Sequence, residues 1–446
     1  MTTYAASRLP DLKGPAAWNR LLGAQTQYPS LTDHLLADFV VVGAGFAGLS
    51  AARRLLQIEP NAKVVILDAT RIAESSAGRN SGFMIDLPHD LASDDYAGSG
   101  DDKKVIDLNR QAITFGGEAV EDYGINPNYF DRAGKINGAA SVTAAEHNVS
   151  YSKHLSQLGE KSELLDQQQM HEVTGSRHYL GGLYSPGTVM LQPAGYIRGL
   201  ANGLVGQGVR LFENSPALKL VKTGPDWKVE TPSGSVTASK VILTVNGQLE
   251  SFGFERSRLM QIFLYAVMTP ELSADEVKTL GGASRWGITP SDPMGTTVRR
   301  IDTGQGGNRI ITRTCATLKP NLKITDGHVA ASAKVMQRKF DQRFPQLAGL
   351  KMEYAWAGHL CLTMNSVSVT KELDTGIFSG CVQNGLGAAR GTLTGIAAAE
   401  MATGTQTAIS TYFAGEDRPT RLPPQPLREI GANVVLKYKE WRAKDD

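Results

Sequence analysis

The 446-residue chain is longer than one ordinary core supports, and its 41% hydrophobic and 20% charged content is that of a globular protein, so two domains or one enlarged α/β domain is expected. A formal charge of +2 gives no reason to expect nucleic acid or an anionic membrane as partner. Three widely spaced cysteines, Cys315, Cys361 and Cys381, cannot build a disulfide framework and fit a reducing, cytoplasmic setting.

The first segment, "TTYAASRLPDLKGPAAWNRLLG", is broken by Pro and Gly and is expected to lie over a domain surface. The first apolar run, "FVVVGAGFAGL" from Phe39, is too far in and too glycine-rich for a secretory signal. No run of about 18 apolar residues could span a membrane, so the chain reads as soluble with no integral membrane segment. "DFVVV" predicts a strand buried on both faces, "AGLSAARRLLQI" an amphipathic helix and "KVVILD" a second buried strand. Residues 103–124 and 142–173 predict a pair of half-buried helices, and the segment from 181 a turn-rich loop entering a helix. Residues 209–247 and 259–315 read as strands, and 328–344 as a helix closed by Pro345. "TGIFSGCVQNGLGAARGTLTGIAAAEMATG" reads as strand, glycine-rich turn and helix, and "DRPTRLPPQPLREIG" as a proline-broken exit packed on the surface.

Gly43, Gly45 and Gly48 form G-x-G-x-x-G between the first strand and the helix, with Ala44, Phe46 and Ala47 completing the turn. The first glycine permits the turn, the second lets a pyrophosphate approach the backbone, and the third lets helix and strand pack closely. The helix N-terminus offers N–H donors and a positive dipole end to phosphate. Asp68, 20 residues beyond Gly48 at the end of the second strand, is placed to bind ribose hydroxyls and argues against a 2′-phosphate. FAD or NAD is therefore preferred over NADP, and this unit does not separate the two.

The loop that follows does. "DATRIAESSAGRNSGF", with Ala69, Thr70, Arg71, Ser76, Ala77, Gly78, Arg79, Asn80 and Ser81, resembles the loop after the second strand in the D-amino-acid oxidase superfamily of flavoproteins. Arg79 supplies charge near phosphate or flavin, or else a surface ion pair. "PALKL…VILTVNG" is similar to the hairpin and strand that return to the FAD site, which implies a cofactor role for the backbone at Leu218 and for Asn246 and Gly247. "VQNGLGAARGTLTG" is similar to the family's glycine-rich turn and helix, which implies that Gly385, Leu386, Gly387, Arg390, Gly391 and Thr392 sit by the pyrimidine edge of the flavin. There N–H donors would stabilise the negative charge of reduced flavin. "TYAASRLPD" and the W-x-G…T-M-N pattern in "WAGHLCLTMN" resemble the γ-glutamylputrescine oxidase group, alongside glycine- and sarcosine-oxidase types.

The resemblance implies an α/β fold with an α+β insert, of the glutathione-reductase-2 type. A Rossmann-like FAD-binding domain (1–90, 190–250 and 372–446) is joined to a mixed-sheet substrate-binding domain (91–189 and 251–371). The reaction implied is oxidation of a secondary or N-substituted amine or imino acid to an imine, which is hydrolysed to amine and aldehyde, with O₂ reduced to H₂O₂. The FAD is expected to be non-covalent, since neither Cys361 nor His34 falls in an attachment pattern. Alternatives are a dehydrogenase that passes electrons to a quinone or carrier, an NAD-dependent dehydrogenase, and an FAD-binding partner protein without turnover. The oligomeric state stays open.

The substrate must react as free amine, and a desolvated pocket lowers an amine's pKa. Tyr265, Met268, Trp356 and His359 are candidate wall residues, with core packing as the other reading. Arg299, Arg300 and Arg313 are candidate carboxylate clamps, or else solvent-facing sheet charges; strand alternation points one of the adjacent pair at the flavin. Tyr265, Arg299, Trp356 and His359 are the residues expected at the reacting atoms. His359 and Leu360 stand where related amino-acid oxidases carry arginine just after W-x-G, so a carboxylate would need its cation from elsewhere. No H-x-x-x-H or C-x-x-C spacing suggests a metal, and "HDLASDDYAGSGDD" does not match a calcium loop.

Overall fold

A computed structural model describes residues 2–88, 93, 97–98 and 100–446; most of the acidic run weighed as a calcium loop lies outside the described residues. The fold is the mixed α/β one expected, built on a nine-stranded and an eight-stranded sheet. At the centre of the first, His34–Val42 pairs in parallel with Val64–Leu67 on one side and Ser235–Leu243 on the other. Phe39 to Val42 are all buried, as a strand covered on both faces requires. Arg210–Phe212 extends the sheet beyond Val64–Leu67, and Ile377–Cys381 pairs in parallel with the last three residues of Ser235–Leu243. The helices Phe46–Ile58 and Ala389–Thr403 cover one face.

The second sheet runs Tyr354–Leu362, Met260–Met268, Arg309–Leu318, Thr297–Ile301, Trp286–Pro290, Lys135–Ala139, Gly181–Ser185 and Glu163–Asp166. A three-stranded sheet of Phe83–Met84, Val189–Leu191 and Phe130–Asp131 lies beside it.

Four segments differ from the sequence reading. The first segment does not simply lie over a surface: Thr3–Ala5 adds a strand to Lys219–Thr223, and Trp18 is fully buried with its Nε1 donating to the Asn80 carbonyl at 2.8 Å. Residues 142–173 form two helices, Val142–Gln157 and Gln167–Thr174, split by the strand Glu163–Asp166; Asp166 ends that strand and caps the second helix. The loop expected from 181 contains the strands Gly181–Ser185 and Val189–Leu191, whose short apolar runs pair with partners distant in sequence. The proline-rich exit leads into a 16-residue helix, Leu427–Arg442, which packs on the eight-stranded sheet although 372–446 was assigned to the FAD-binding part.

Candidate cofactor and substrate site

One cavity of ≈ 340 Å³ runs between the two large sheets, lined from Asp68 and Pro216 at one end to Thr289, Arg313 and Ile324 at the other. The glycine turn forms part of its wall. Gly48 lies behind that wall, where an added Cβ would stand 1.8 Å from the Gly43 carbonyl oxygen, so helix and strand close to a distance only glycine allows. At Gly45 a Cβ would project into open space, its one neighbour being the Ala77 methyl at 3.6 Å. The first-turn N–H groups of Phe46–Ile58 have no intrahelical acceptors and are available to an anion there.

Asp68 is buried and accepts the backbone N–H groups of Ala44 and Thr70, each at 2.8 Å, which ties the acid to the glycine turn. Burial pushes its pKa up, against the downward pull of those hydrogen bonds. On the far wall Asn246 Oδ1, Gln248 Oε1 and Ser251 Oγ are buried with no hydrogen-bond partner among the described residues. Unpartnered polar atoms, open space beside Gly45 and Gly387, an acid at the strand end and a helix N-terminus fit a dinucleotide with a flat ring system.

Gly43, Ala44, Gly45, Phe46, Ala47, Asp68, Ala69, Thr70, Ser76, Ala77, Arg79, Asn80, Ser81, Asn246, Gly385, Leu386, Gly387 and Gly391 all line the cavity. Other expected cofactor contacts sit elsewhere. Arg71 is exposed and reaches Gln25. Gly78 lies behind the wall in the short helix Ser76–Gly78. Leu218 has its backbone N–H on Glu230 and its carbonyl on Ala6, and Pro216 and Ala217 line the cavity in its place. Gly247 is packed behind Asn246 against Gln261 and Cys361. Arg390 is ion-paired with Glu416, and the Thr392 hydroxyl donates to the Ala388 carbonyl.

Among the described residues Arg79 forms no surface ion pair. Its buried guanidinium donates to the carbonyls of Lys13, Gly14, Glu74 and Ala357, stitching the first segment to the wall. Burial lowers its pKa to about 10.

The far end of the cavity divides the substrate candidates. Tyr265, Arg313 and His359 line it; Met268, Arg299, Arg300 and Trp356 do not. Met268 is fully buried core, and Trp356 is locked by its Nε1 donating to the Arg79 carbonyl at 3.0 Å. Alternation does send Arg299 toward the dinucleotide side. There its guanidinium is committed to the carbonyls of Ser81, Gly82 and Leu191 and to Gln305, 5.1 Å over the Trp18 ring. Gly82, at φ +76°, makes room for it: a Cβ there would lie 2.1 Å from Arg299 Nη1. Arg300 points to the opposite face and donates to the Gly281 carbonyl.

The Tyr265 hydroxyl turns to Thr317 Oγ1 at 3.2 Å, so the ring rather than the hydroxyl is what the wall can present. His359 faces the cavity half-buried, with Nε2 2.9 Å from Gln261 Oε1 and its ring 5.3 Å from Phe263; desolvation lowers its pKa to about 4. It is a neutral ring at ordinary pH.

Several wall residues were not expected at the site from the sequence. Arg8 to Lys13 cover the cavity from the first segment, and Thr289, Pro290, Pro293, Thr297, Leu322 and Ile324 close the far end. Behind Thr289 lies Lys135, 4% exposed, donating to Asn137 Oδ1 and, at 3.1 Å, to Thr289 Oγ1. Burial lowers its pKa to about 8, against a weaker upward pull from Asp86. The spacing of Lys135 and Asn137 in a short strand, which puts both on one face, was the available signal. Cys315, Cys361 and Cys381 lie off the cavity wall. Among the described residues no group of three or more His, Cys, Asp or Glu side chains is placed to hold a metal ion.

Residues 38–401 match the family model described as DAO, FAD dependent oxidoreductase. The chain is 26% identical over 431 residues to a probable oxidoreductase, OrdL, of Haemophilus influenzae, covering 94% of each protein. It is 26% identical over 369 residues to the gamma-glutamylputrescine oxidoreductase of Escherichia coli, covering 79% of this chain and 80% of that one. Among solved structures, glycine oxidase from Geobacillus kaustophilus superposes with a TM-score of 0.71 at 16% identity, over 87% of this chain and 100% of that one.

Proposed function

The chain belongs to the DAO family of FAD-dependent oxidoreductases and acts on amine or amino-acid type substrates, and from that premise we propose that it oxidises a secondary or N-substituted amine to an imine, with O₂ as acceptor and H₂O₂ as by-product. The observation that carries the substrate reading is the far end of the cavity. Phe263, Leu264, Tyr265, Leu322, Ile324 and Pro290 make it apolar, and of the three strand arginines only Arg313 reaches it.

Bound FAD supplies the two-electron acceptor. The glycine turn, Asp68 and the helix N-terminus of Phe46–Ile58 would hold its dinucleotide part, and the polar atoms of Asn246 to Ser251 would be available to it. The apolar end strips water from the amine, which disfavours the ammonium form and leaves the nitrogen lone pair available. Neutral His359 adds no charge to oppose or attract the amine. Arg313 orients a carboxylate borne by the substrate, the task that the residues after W-x-G do not perform here. The bodies that carry these two halves are, on this reading, an FAD-binding part built round the nine-stranded sheet and a substrate-binding part built round the eight-stranded one.

The test is anaerobic bleaching of the flavin absorbance with a panel of primary, N-methyl, N-carboxymethyl and γ-glutamyl amines, followed by admission of air and assay of H₂O₂. Bleaching by N-substituted amines with stoichiometric peroxide is expected. Bleaching by primary D-amino acids alone overturns the substrate class, and reoxidation by a quinone but not by O₂ overturns the acceptor.

A further inference from the structure

Three polar side chains meet at the far end of the cavity in a way that fixes where their protons go. Lys135 and Asn137 lie on one face of Lys135–Ala139, and Asn137 is the register partner of Thr289 in Trp286–Pro290. Lys135 Nζ donates to Asn137 Oδ1 and, at 3.1 Å, to Thr289 Oγ1; the Thr289 hydroxyl donates to Asn137 Oδ1 at 2.9 Å. All three are buried in the protein, and of the three only Thr289 lines the cavity.

An ammonium has three donors and no acceptor, so the Asn137 atom that faces it is the amide oxygen and not the nitrogen. The same ammonium occupies one lone pair of Thr289 Oγ1, and the hydroxyl proton has its acceptor in Asn137 Oδ1. With a pKa of about 8, Lys135 keeps its charge at neutral pH. What remains on Thr289 Oγ1 is a second lone pair, and among the described residues no donor is placed on it. The triangle is braced from behind: Asn148 Nδ2 donates to the Asn137 carbonyl at 3.0 Å, and Ser291 Oγ donates to Asn148 Oδ1 at 2.9 Å. Thr297 and Arg313, register partners of each other, carry the polar wall across the next two strands. Arg313 brings donors to this end of the cavity, and Thr289 brings an acceptor.

We propose that Thr289 Oγ1 is a one-way acceptor that receives the N–H of the substrate amine, with Lys135 and Asn137 as positioning residues that hold its proton away from the cavity. This assignment rests on the amine-oxidising reading above and narrows it. A free secondary amine has one N–H and one lone pair, and it is the lone pair that must stay available for its neighbouring carbon to be oxidised. An acceptor on the wall takes the N–H and leaves the lone pair free. A hydroxyl that donated into the cavity would tie the lone pair up. The same polarity selects against a tertiary amine, which has no N–H to offer and sets its own lone pair against that of Thr289.

The test is calorimetric titration of the FAD-loaded protein at neutral pH with two ring carboxylates. Pyrrole-2-carboxylate offers a ring N–H, and furan-2-carboxylate is the same shape with an acceptor oxygen in that place. Wild type should bind the pyrrole about tenfold more tightly or better. Thr289→Val keeps the shape and removes the oxygen, and should bring the two affinities together at unchanged flavin content; Thr289→Ser restores the hydroxyl and should restore the preference. Lys135→Met lifts the constraint on the hydroxyl proton and should narrow the preference severalfold without weakening the furan, a change of selectivity that a merely structural role would not produce. Equal affinities in wild type, binding of neither ligand, or a preference that survives Thr289→Val overturns the proposal. Failure of the amine-oxidising reading registers separately, as absence of flavin bleaching across the amine panel, because the ligand preference requires no turnover.

Discussion

Lys135 offers a direct measurement of how dry the far end of the cavity is. Its ammonium is 4% exposed and hydrogen-bonded to the neutral oxygens of Asn137 and Thr289; among the described residues no carboxylate lies within ion-pair distance. Its pKa falls from 10.5 to about 8. The folded state therefore binds fewer protons than the unfolded chain between those values, and stability rises with pH across that window. Below about pH 8 the buried charge costs the fold about 3 kcal/mol, and by pH 9.5 about 2 kcal/mol of that is recovered. Lys135→Met removes the charge and the lysine's own hydrogen bonds to Asn137 and Thr289, while the Thr289 hydroxyl still donates to Asn137 Oδ1, a cost that does not depend on pH. Urea unfolding of both proteins at pH 7.0 and 9.5, in the same excess of FAD, isolates the lysine from every other titrating group. The stability of wild type relative to variant should improve by about 2 kcal/mol at the higher pH. Parallel pH dependences would refute the reasoning, because they would mean that the ammonium keeps its water and the wall behind Thr289 is wet.

Gly48→Ala places a methyl 1.8 Å from the Gly43 carbonyl, so the turn must open; flavin content measured from the absorbance of the purified protein should drop at least tenfold, and full occupancy would contradict the packing. Arg313→Met should lower kcat/KM for a carboxylate-bearing amine by roughly 10- to 100-fold, the loss of about 1.5–3 kcal/mol for a charged hydrogen bond, and leave an amine without a carboxylate nearly unaffected. Because desolvation holds the His359 pKa near 4, any acid limb of the kcat/KM profile between pH 6 and 8 should persist in His359→Asn; its disappearance would show that the imidazole titrates in that range.

What was readable in the sequence follows the range of the interactions involved. The strand–turn–helix–strand from Phe39 to Asp68 rests on contacts within 30 residues, and each glycine has a local reason, so pattern and structure agree there. Leu218 lies off the cavity wall, next to Pro216 and Ala217, because which backbone faces the cavity is decided by ladder partners at Glu230 and Ala6. The wall from Thr289 to Thr297 carries no motif at all, and the resemblance of the stretch ending at Asp11 gave no sign that Arg8 to Lys13 cover the cavity. The exposed stripe of Leu427–Arg442 has plain helical periodicity, but periodicity does not say which side is covered. The uncovered strand edge at Ala316 and Leu318 settles that.

The arginines show where reading by alternation stops. Alternation sends one of Arg299 and Arg300 to the cofactor side, and Arg299 does point there. A guanidinium has five N–H donors, and burial without water obliges it to find acceptors. Arg299 finds them in the turn carbonyls at Ser81, Gly82 and Leu191 before it can reach the cavity, and Arg79 does the same with Lys13, Gly14, Glu74 and Ala357. Both arginines therefore shape the site as carbonyl clamps: they fix the turn that lines the cavity, and their low-dielectric surroundings depress their own pKa values. Arg313 sits on the strand paired with that of Arg299, opposite Thr297 and Ala266, and at that register its side of the sheet opens onto the cavity rather than onto the turn. Two residues on the same face of one sheet thus meet different surroundings: backbone carbonyls hold Arg299 as scaffold, whereas Arg313 reaches the cavity wall.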